Sequence, residues 1–188
     1  MLDAMAIELV FETHSISEDN ESGRATGWGH GRLSERGRAL AVELGARRRD
    51  DGIAAVFTSD LRRAVETADI AFAGAATPIF HDWRLRECDY GELSGAPGPI
   101  VHGERGRYLD VPYPGGESWR SAVARVARFL DDLAPRWAGA RRLVIGHVAT
   151  RWPFEHHLNG VALEELLEAE FAWREGWEFK LTDGDGDR

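Results

Sequence analysis

Two apolar runs in this chain break off into polar sequence, and a histidine stands just beyond each break. Ile7 to Phe11 reads as a buried strand and is followed by Glu12-Thr13-His14. Leu143-Val144-Ile145 reads as another and is followed by Gly146-His147. A third run, Ala54 to Phe57, leads into Thr58-Ser59-Asp60 and the helical pattern that carries Arg63. Strands alternating with helices predict one layered α/β domain on a mostly parallel sheet. In such a sheet ligands bind beyond the carboxyl ends of the strands. If the three strands are neighbours, His14, His147 and Arg63 converge on one rim. A histidine there can serve as nucleophile, base, metal ligand or anion donor. The helix start adds backbone N–H groups and a positive dipole end, a donor set that suits a tetrahedral anion. Glu87, in another turn, would add a proton donor.

The rest of the chain fills out that frame. A long Gly-rich loop, Ser22 to Arg32, contains Gly27-Trp28 and is expected to be ordered and functional. Ser34 is read as the N-cap of a helix from about Glu35 to Arg49, with Leu40, Ala41 and Leu44 on its buried side. Leu61, Ala64, Val65, Ala68 and Phe72 form the inner face of the next helix. Ile79-Phe80 predicts a short strand, and Gly95 to Gly116 an irregular excursion over the sheet. Ser118 to Leu133 is a strongly amphipathic helix. A helix beginning near Thr150 accepts Pro153 in its first turn, and Ala162 to Leu167 is a further helical stretch. Phe171–Trp173 and Trp177–Leu181 are expected to pair as a hairpin across Glu175-Gly176. The domain is taken as 1–182, with 183–188 a disordered tail; Asp183-Gly184-Asp185-Gly186-Asp187 starts like a calcium loop but lacks the required glutamate.

Composition excludes several classes. The net charge of -9 argues against nucleic acid as a partner. No apolar run approaches a membrane span, and the start of the chain lacks a basic leader, so the expected setting is the cytoplasm. Cys88 is the only cysteine. It rules out an internal disulfide, and Ser94 stands where a phosphatase cysteine loop needs arginine. Lys180 is the only lysine, so any cationic pocket is built from guanidinium, whose planar fork suits phosphate. His156-His157 are adjacent on a helix and do not share a face, which argues against a metal site there.

The motifs in sequence order resemble the histidine phosphatase superfamily, in its phosphoglycerate mutase-like branch. Thr13-His14-Ser15-Ile16-Ser17-Glu18-Asp19-Asn20 is similar to the family's Arg-His-Gly-Glu-Thr-x-x-Asn signature. Arg24, Thr26-Gly27-Trp28 and Leu33-Ser34 continue the frame. Ser59 to Ala64 with Glu66-Thr67-Ala68 resembles the phosphate-binding arginine helix, Leu85-Arg86-Glu87 the acid segment, Pro114 to Ser118 the turn before a helix, and Gly146-His147 the second histidine. The resemblance implies a three-layer α/β/α sandwich. It implies phosphoryl transfer in two steps, with His14 as nucleophile, Arg63 and His147 on the equatorial oxygens, and Glu87 (or Asp89 nearby) as acid and then base. Ser17 and Asn20 are phosphate-binding candidates, and Thr13, Arg24, Gly27 and Arg86 candidate substrate contacts. No metal or other cofactor is implied. The partner is a small phosphate ester, and a homodimer is admitted.

The largest departure is Thr13, where the family has its first phosphate-binding arginine. A charge-assisted hydrogen bond is worth roughly 1.5–3 kcal/mol net and more in a dry site, and its loss there without replacement removes about two to three decades of rate. Arg24, Arg84, Arg86 and Arg151 are the candidate replacements. Ser15 and Val148 stand where the family has glycines. Cys88 replaces the mutase arginine after the acid, and the mutase's substrate lysine has no counterpart. The expected function is therefore hydrolysis of a small phosphomonoester through phosphohistidine, not phosphoglycerate mutation. The rival is a catalytically impaired phosphate-ester binder; a histidine-based metal hydrolase is a weaker third.

Overall fold

The computed structural model describes residues 6–133, 136–137 and 139–181. The tail from residue 183, with its aspartate-glycine alternation, lies outside them. Strands β1 (Ile7–Thr13), β2 (Ile53–Thr58), β3 (Ile79–His81), β4 (Arg141–Gly146) and β5 (Trp177–Leu181) form one sheet in the order β3-β2-β4-β1-β5. All pairs are parallel except β1 with β5.

The helices cover both faces. Odd-numbered residues of β1 (Ile7, Leu9, Phe11) pack with Val126, Phe129 and Phe154 of α5 (Trp119–Leu133) and α6 (Val148–Asn159). Val10, pointing the other way as strand alternation requires, packs with Leu44 and Ala68 of α2 (Glu35–Arg48) and α3 (Arg62–Ala71). This is the three-layer α/β/α sandwich expected from sequence. Two glycines let α2 sit close. A Cβ on Gly37 would stand 1.9 Å from the carbonyl oxygen of Ile16, and one on Gly45 2.2 Å from that of Ala71. The short helices α1 (Glu18–Glu21), α4 (Gly98–Gly103) and α7 (Leu163–Glu168) lie outside these layers in sequence. Beneath the excursion a third apolar cluster forms around Tyr90, Tyr113, Trp119 and Trp152.

Several local expectations are corrected. The 171–173 segment is not a strand; β5 pairs with β1 instead, because Trp177 and Phe179 find the buried face beside Phe11 and Phe154. Helix α6 begins at Val148 with His147 as N-cap, so Pro153 falls in the second turn. The N-cap of α3 is Leu61, without a side-chain hydrogen bond, so Thr58-Ser59-Asp60 does not cap it. Leu40 is only half-buried and lines a cavity, while Gly37, Ala41, Leu44 and Gly45 face inward.

Candidate active site

Strand register builds the site. Thr13 of β1 stands opposite Gly146 of β4, and Ile145 opposite Thr58 of β2. The next residue of β1, His14, donates its backbone N–H to the Gly146 carbonyl at 2.9 Å. His14, His147 and Ser59 are therefore delivered to one rim, and the two imidazole centroids lie 4.9 Å apart.

Arg63 joins them from the first turn of α3. It is 2% exposed, and among the described residues no carboxylate lies within ion-pair reach of it. Its Nη2 and Nη1 donate to the carbonyls of Gly27 (2.8 Å) and Gly29 (3.4 Å), which aims the guanidinium. Its Nε meets Nε2 of His14 at 3.3 Å, and Nη2 meets Nδ1 of His147 at 3.4 Å. A guanidinium only donates, so both histidine nitrogens present lone pairs. The opposite nitrogens carry the protons: His14 Nδ1–H donates to the Ser15 carbonyl (2.7 Å), and His147 Nε2–H to Ser59 Oγ (2.8 Å). Burial and the Arg63 charge push the His14 pKa down to about 3, and the same causes hold His147 well below its usual range. His14 Nε2 thus presents a neutral lone pair in a fixed tautomer.

Glu87 faces the same cavity. Its Oε1 accepts the N–H of Cys88 (2.8 Å) and of Ala149 in the first turn of α6 (3.2 Å). Burial raises its pKa above the ordinary 4.5, against the opposing pull of those hydrogen bonds and Arg63. Asp89, the competing acid, turns away from the cavity lining and accepts the Gly91 N–H.

The cavity is about 620 Å³. Thr13, Asn20, Arg24 and Gly27 line it. Asn20 uses Oδ1 to accept from Ser17, leaving its amide N–H groups for another partner. Ser17 and Arg86 are corrections. Ser17 is fully buried in a capping box with Asn20 and does not reach the cavity. Arg86 pairs with Asp60 at 2.5 and 2.6 Å and stacks on Trp28, also outside the lining. Of the candidate replacements for the missing arginine, Arg84 is bound to Asp82 and Asp132, and Arg151 to Glu155; only Arg24 lines the cavity.

Sequence reasoning missed several functional partners. Ser59 fixes the His147 tautomer. Thr67 receives the Ser15 N–H at 3.0 Å and donates to the Arg63 carbonyl at 2.7 Å, tying the nucleophile's loop to α3. Arg105 of the excursion also lines the cavity; its Nε is buried without a partner, and it makes no ion pair among the described residues. An arginine in an irregular, Gly-rich stretch carries no periodicity that would betray its direction.

Residues 9–176 match the sequence profile of the Histidine phosphatase superfamily (branch 1). The chain belongs to the histidine phosphatase superfamily. Among the similar proteins, a 2,3-bisphosphoglycerate-dependent phosphoglycerate mutase of Neisseria meningitidis serogroup C (strain 053442) is 29% identical over 218 residues, spanning 94% of this chain and 96% of the mutase. Bacillus stearothermophilus YhfR superposes with a TM-score of 0.80 at 25% identity, covering 90% of this chain and 88% of that one. The alpha-ribazole phosphatase from Shigella flexneri shares the fold, with a TM-score of 0.74 at 20% identity over 85% and 83% of the two chains. The similar proteins of this histidine phosphatase superfamily member thus include a mutase, and a phosphatase shares its fold. Among its described residues, no helix is long and apolar enough to cross a membrane.

Proposed function

We propose that this protein is a phosphatase that hydrolyses a small phosphomonoester through a phosphohistidine on His14. The observation that carries the reading is the buried Arg63 guanidinium, which makes no ion pair among the described residues and lies against the lone pair of His14 Nε2. A buried cation without an acid partner is costly unless an anion completes its site. A phosphoryl group between Arg63, His147 and the Asn20 amide would do so.

The chemistry follows from the protonation states. His14 Nε2 attacks phosphorus in line; the P–O bond to the alcohol breaks as Glu87 gives its proton to the leaving oxygen. Arg63 holds the equatorial oxygens, where charge concentrates in transfer. His147 takes up a proton from solvent as the dianion arrives, becomes a second donor, and gives the proton back when phosphate leaves. Water then attacks the phosphohistidine and passes a proton to the Glu87 carboxylate. The P–N bond breaks, phosphate leaves, and the His14 lone pair and the Glu87 proton are restored.

Three features favour hydrolysis over mutation. The only lysine, Lys180, is exposed on β5 and does not line the cavity, and Cys88, after the acid, is buried and carries no charge to a substrate. The mutase alignment also spans 218 positions against 188 residues here, so parts of that relative have no counterpart in this chain. The reading takes a small phosphate ester as partner and the cytoplasm as setting. Thr13 favours the second reading, a phosphate-ester binder without turnover. Release of phosphate from simple esters by the wild type and by His14→Ala, with a chelator present, separates them. Turnover lost in the variant supports the enzyme; no turnover in either, with phosphate still raising the wild-type Tm, supports the binder.

A further inference from the structure

Arg125 comes from the middle of α5, on the face that carries Ala122, Val126 and Phe129, and is 2% exposed. A charge on a core-facing stripe is costly unless its hydrogen bonds are met. Here they are. Nη1 donates to the carbonyl of Arg84 (2.6 Å), and Nη2 to that of Glu87 (2.7 Å). Nη2 and Nε also hold the Glu117 carboxylate, at 2.7 and 3.2 Å. Glu117 Oε1 in turn accepts the Asp89 N–H at 3.0 Å. The backbone from Arg84 to Asp89 has one 3-10 turn and otherwise no regular structure, so its buried polar groups need partners from elsewhere. This ion pair supplies them on both sides of Glu87, while Trp28 Nε1 adds a second donor to the Glu87 carbonyl (2.6 Å). Neither Arg125 nor Glu117 lines the cavity.

We infer that the Arg125–Glu117 pair is the positioning device of the general acid: it grips the carbonyls of Arg84 and Glu87 and the N–H of Asp89, and thereby aims the carboxyl at the leaving oxygen. Arg125 is a positioning residue, not a catalytic one. Its planar fork meets two carbonyls and both carboxylate oxygens from three separate nitrogens, a spread that the single nitrogen of an ammonium does not match. The inference rests on the reading of Glu87 as the acid.

A role in aiming an acid differs from a role in holding the fold through its dependence on the leaving group. Nitrophenolate departs without a proton, whereas an alkoxide needs one. The value of kcat/KM reports steps up to phosphohistidine formation, so it isolates the acid's contribution. The test compares kcat/KM for 4-nitrophenyl phosphate and propyl phosphate in the wild type, Arg125→Lys, Arg125→Met and the isosteric Glu117→Gln. General acid catalysis supplies about 10²–10⁴-fold. We expect the variants to lose about 10-fold or more of that on propyl phosphate, with the nitrophenyl ester little changed and inhibition by inorganic phosphate retained. Equal losses on both esters, or no loss on either, overturn the inference. Should Arg125→Met unfold, Arg125→Lys and Glu117→Gln decide it by the same comparison. A wild type inactive on both esters overturns the phosphatase reading itself, and this inference with it.

Discussion

Arg63 reaches both histidines of the site with one guanidinium: Nε lies 3.3 Å from His14 Nε2, and Nη2 3.4 Å from His147 Nδ1. The backbone carbonyls of Gly27 and Gly29 hold it in that position, so the cation is in place before any anion arrives. Preorganised charge of this kind stabilises a transition state without reorganisation.

Arg63→Met therefore lowers kcat/KM by about 10²–10³-fold, the loss typical of one transition-state donor, about 2.7–4 kcal/mol. Arg63→Lys recovers little, because an ammonium cannot meet two carbonyls and two imidazoles together. Steady-state kinetics with inorganic phosphate as inhibitor check this; a variant within a few-fold of wild type contradicts the role.

Thr13→Arg tests the family departure. It adds a guanidinium to a cavity wall beside the nucleophile. A charge-assisted hydrogen bond worth roughly 1.5–3 kcal/mol raises kcat/KM by about 10- to 100-fold. An unchanged or lower rate in a folded variant shows that the native site already compensates for Thr13.

The acid has its own pH signature. In the proposed mechanism Glu87 enters the first step protonated, and burial raises its pKa above 4.5. Activity in kcat/KM is accordingly retained below the raised pKa and falls as pH rises through it. In Glu87→Gln that alkaline limb disappears, and alkyl esters lose about 10²–10⁴-fold. A limb that persists in the variant assigns it to another group.

Stability carries the opposite signature at the histidines. The folded pKa of His14 is about 3, and that of His147 lies well below 6.5. The unfolded chain therefore binds protons first as pH falls below 6.5. The contribution of the neutral rings is full above that pH and is lost as pH falls towards their folded values. The slope approaches about 1.4 kcal/mol per pH unit per histidine. Denaturant unfolding from pH 6.5 to 4 measures it, and His14→Asn has the shallower slope; parallel slopes contradict the neutral buried ring.

Much of this was legible in the sequence because strand ends are local. Phe11 to His14 and Ile145 to His147 show the same apolar-to-histidine break, and parallel pairing brings such ends to one rim. Arg63 was legible from its place one turn into a helix after a buried strand. Ser17 was not, since its hydroxyl serves equally as cap or ligand, and the capping box with Asn20 took it. The antiparallel β5 was obscured because its partner is β1, far off in sequence, while Phe171–Trp173 lay near enough to suggest a hairpin. Arg125 had a signal that reading for apolar residues passes over. It is spaced three residues after Ala122 and four before Phe129, on the buried stripe of α5.

The most direct test of the central claim is a chemical trap. Wild type and Glu87→Gln are reacted with phosphate-labelled 4-nitrophenyl phosphate, whose leaving group departs without a proton, then quenched in alkali, and the labelled peptide is identified. The account predicts an acid-labile label on the His14 peptide, greater in Glu87→Gln, where water is not activated, and absent from His14→Asn. Turnover with no label on His14 at any time, or label and turnover that survive in His14→Asn, contradicts it.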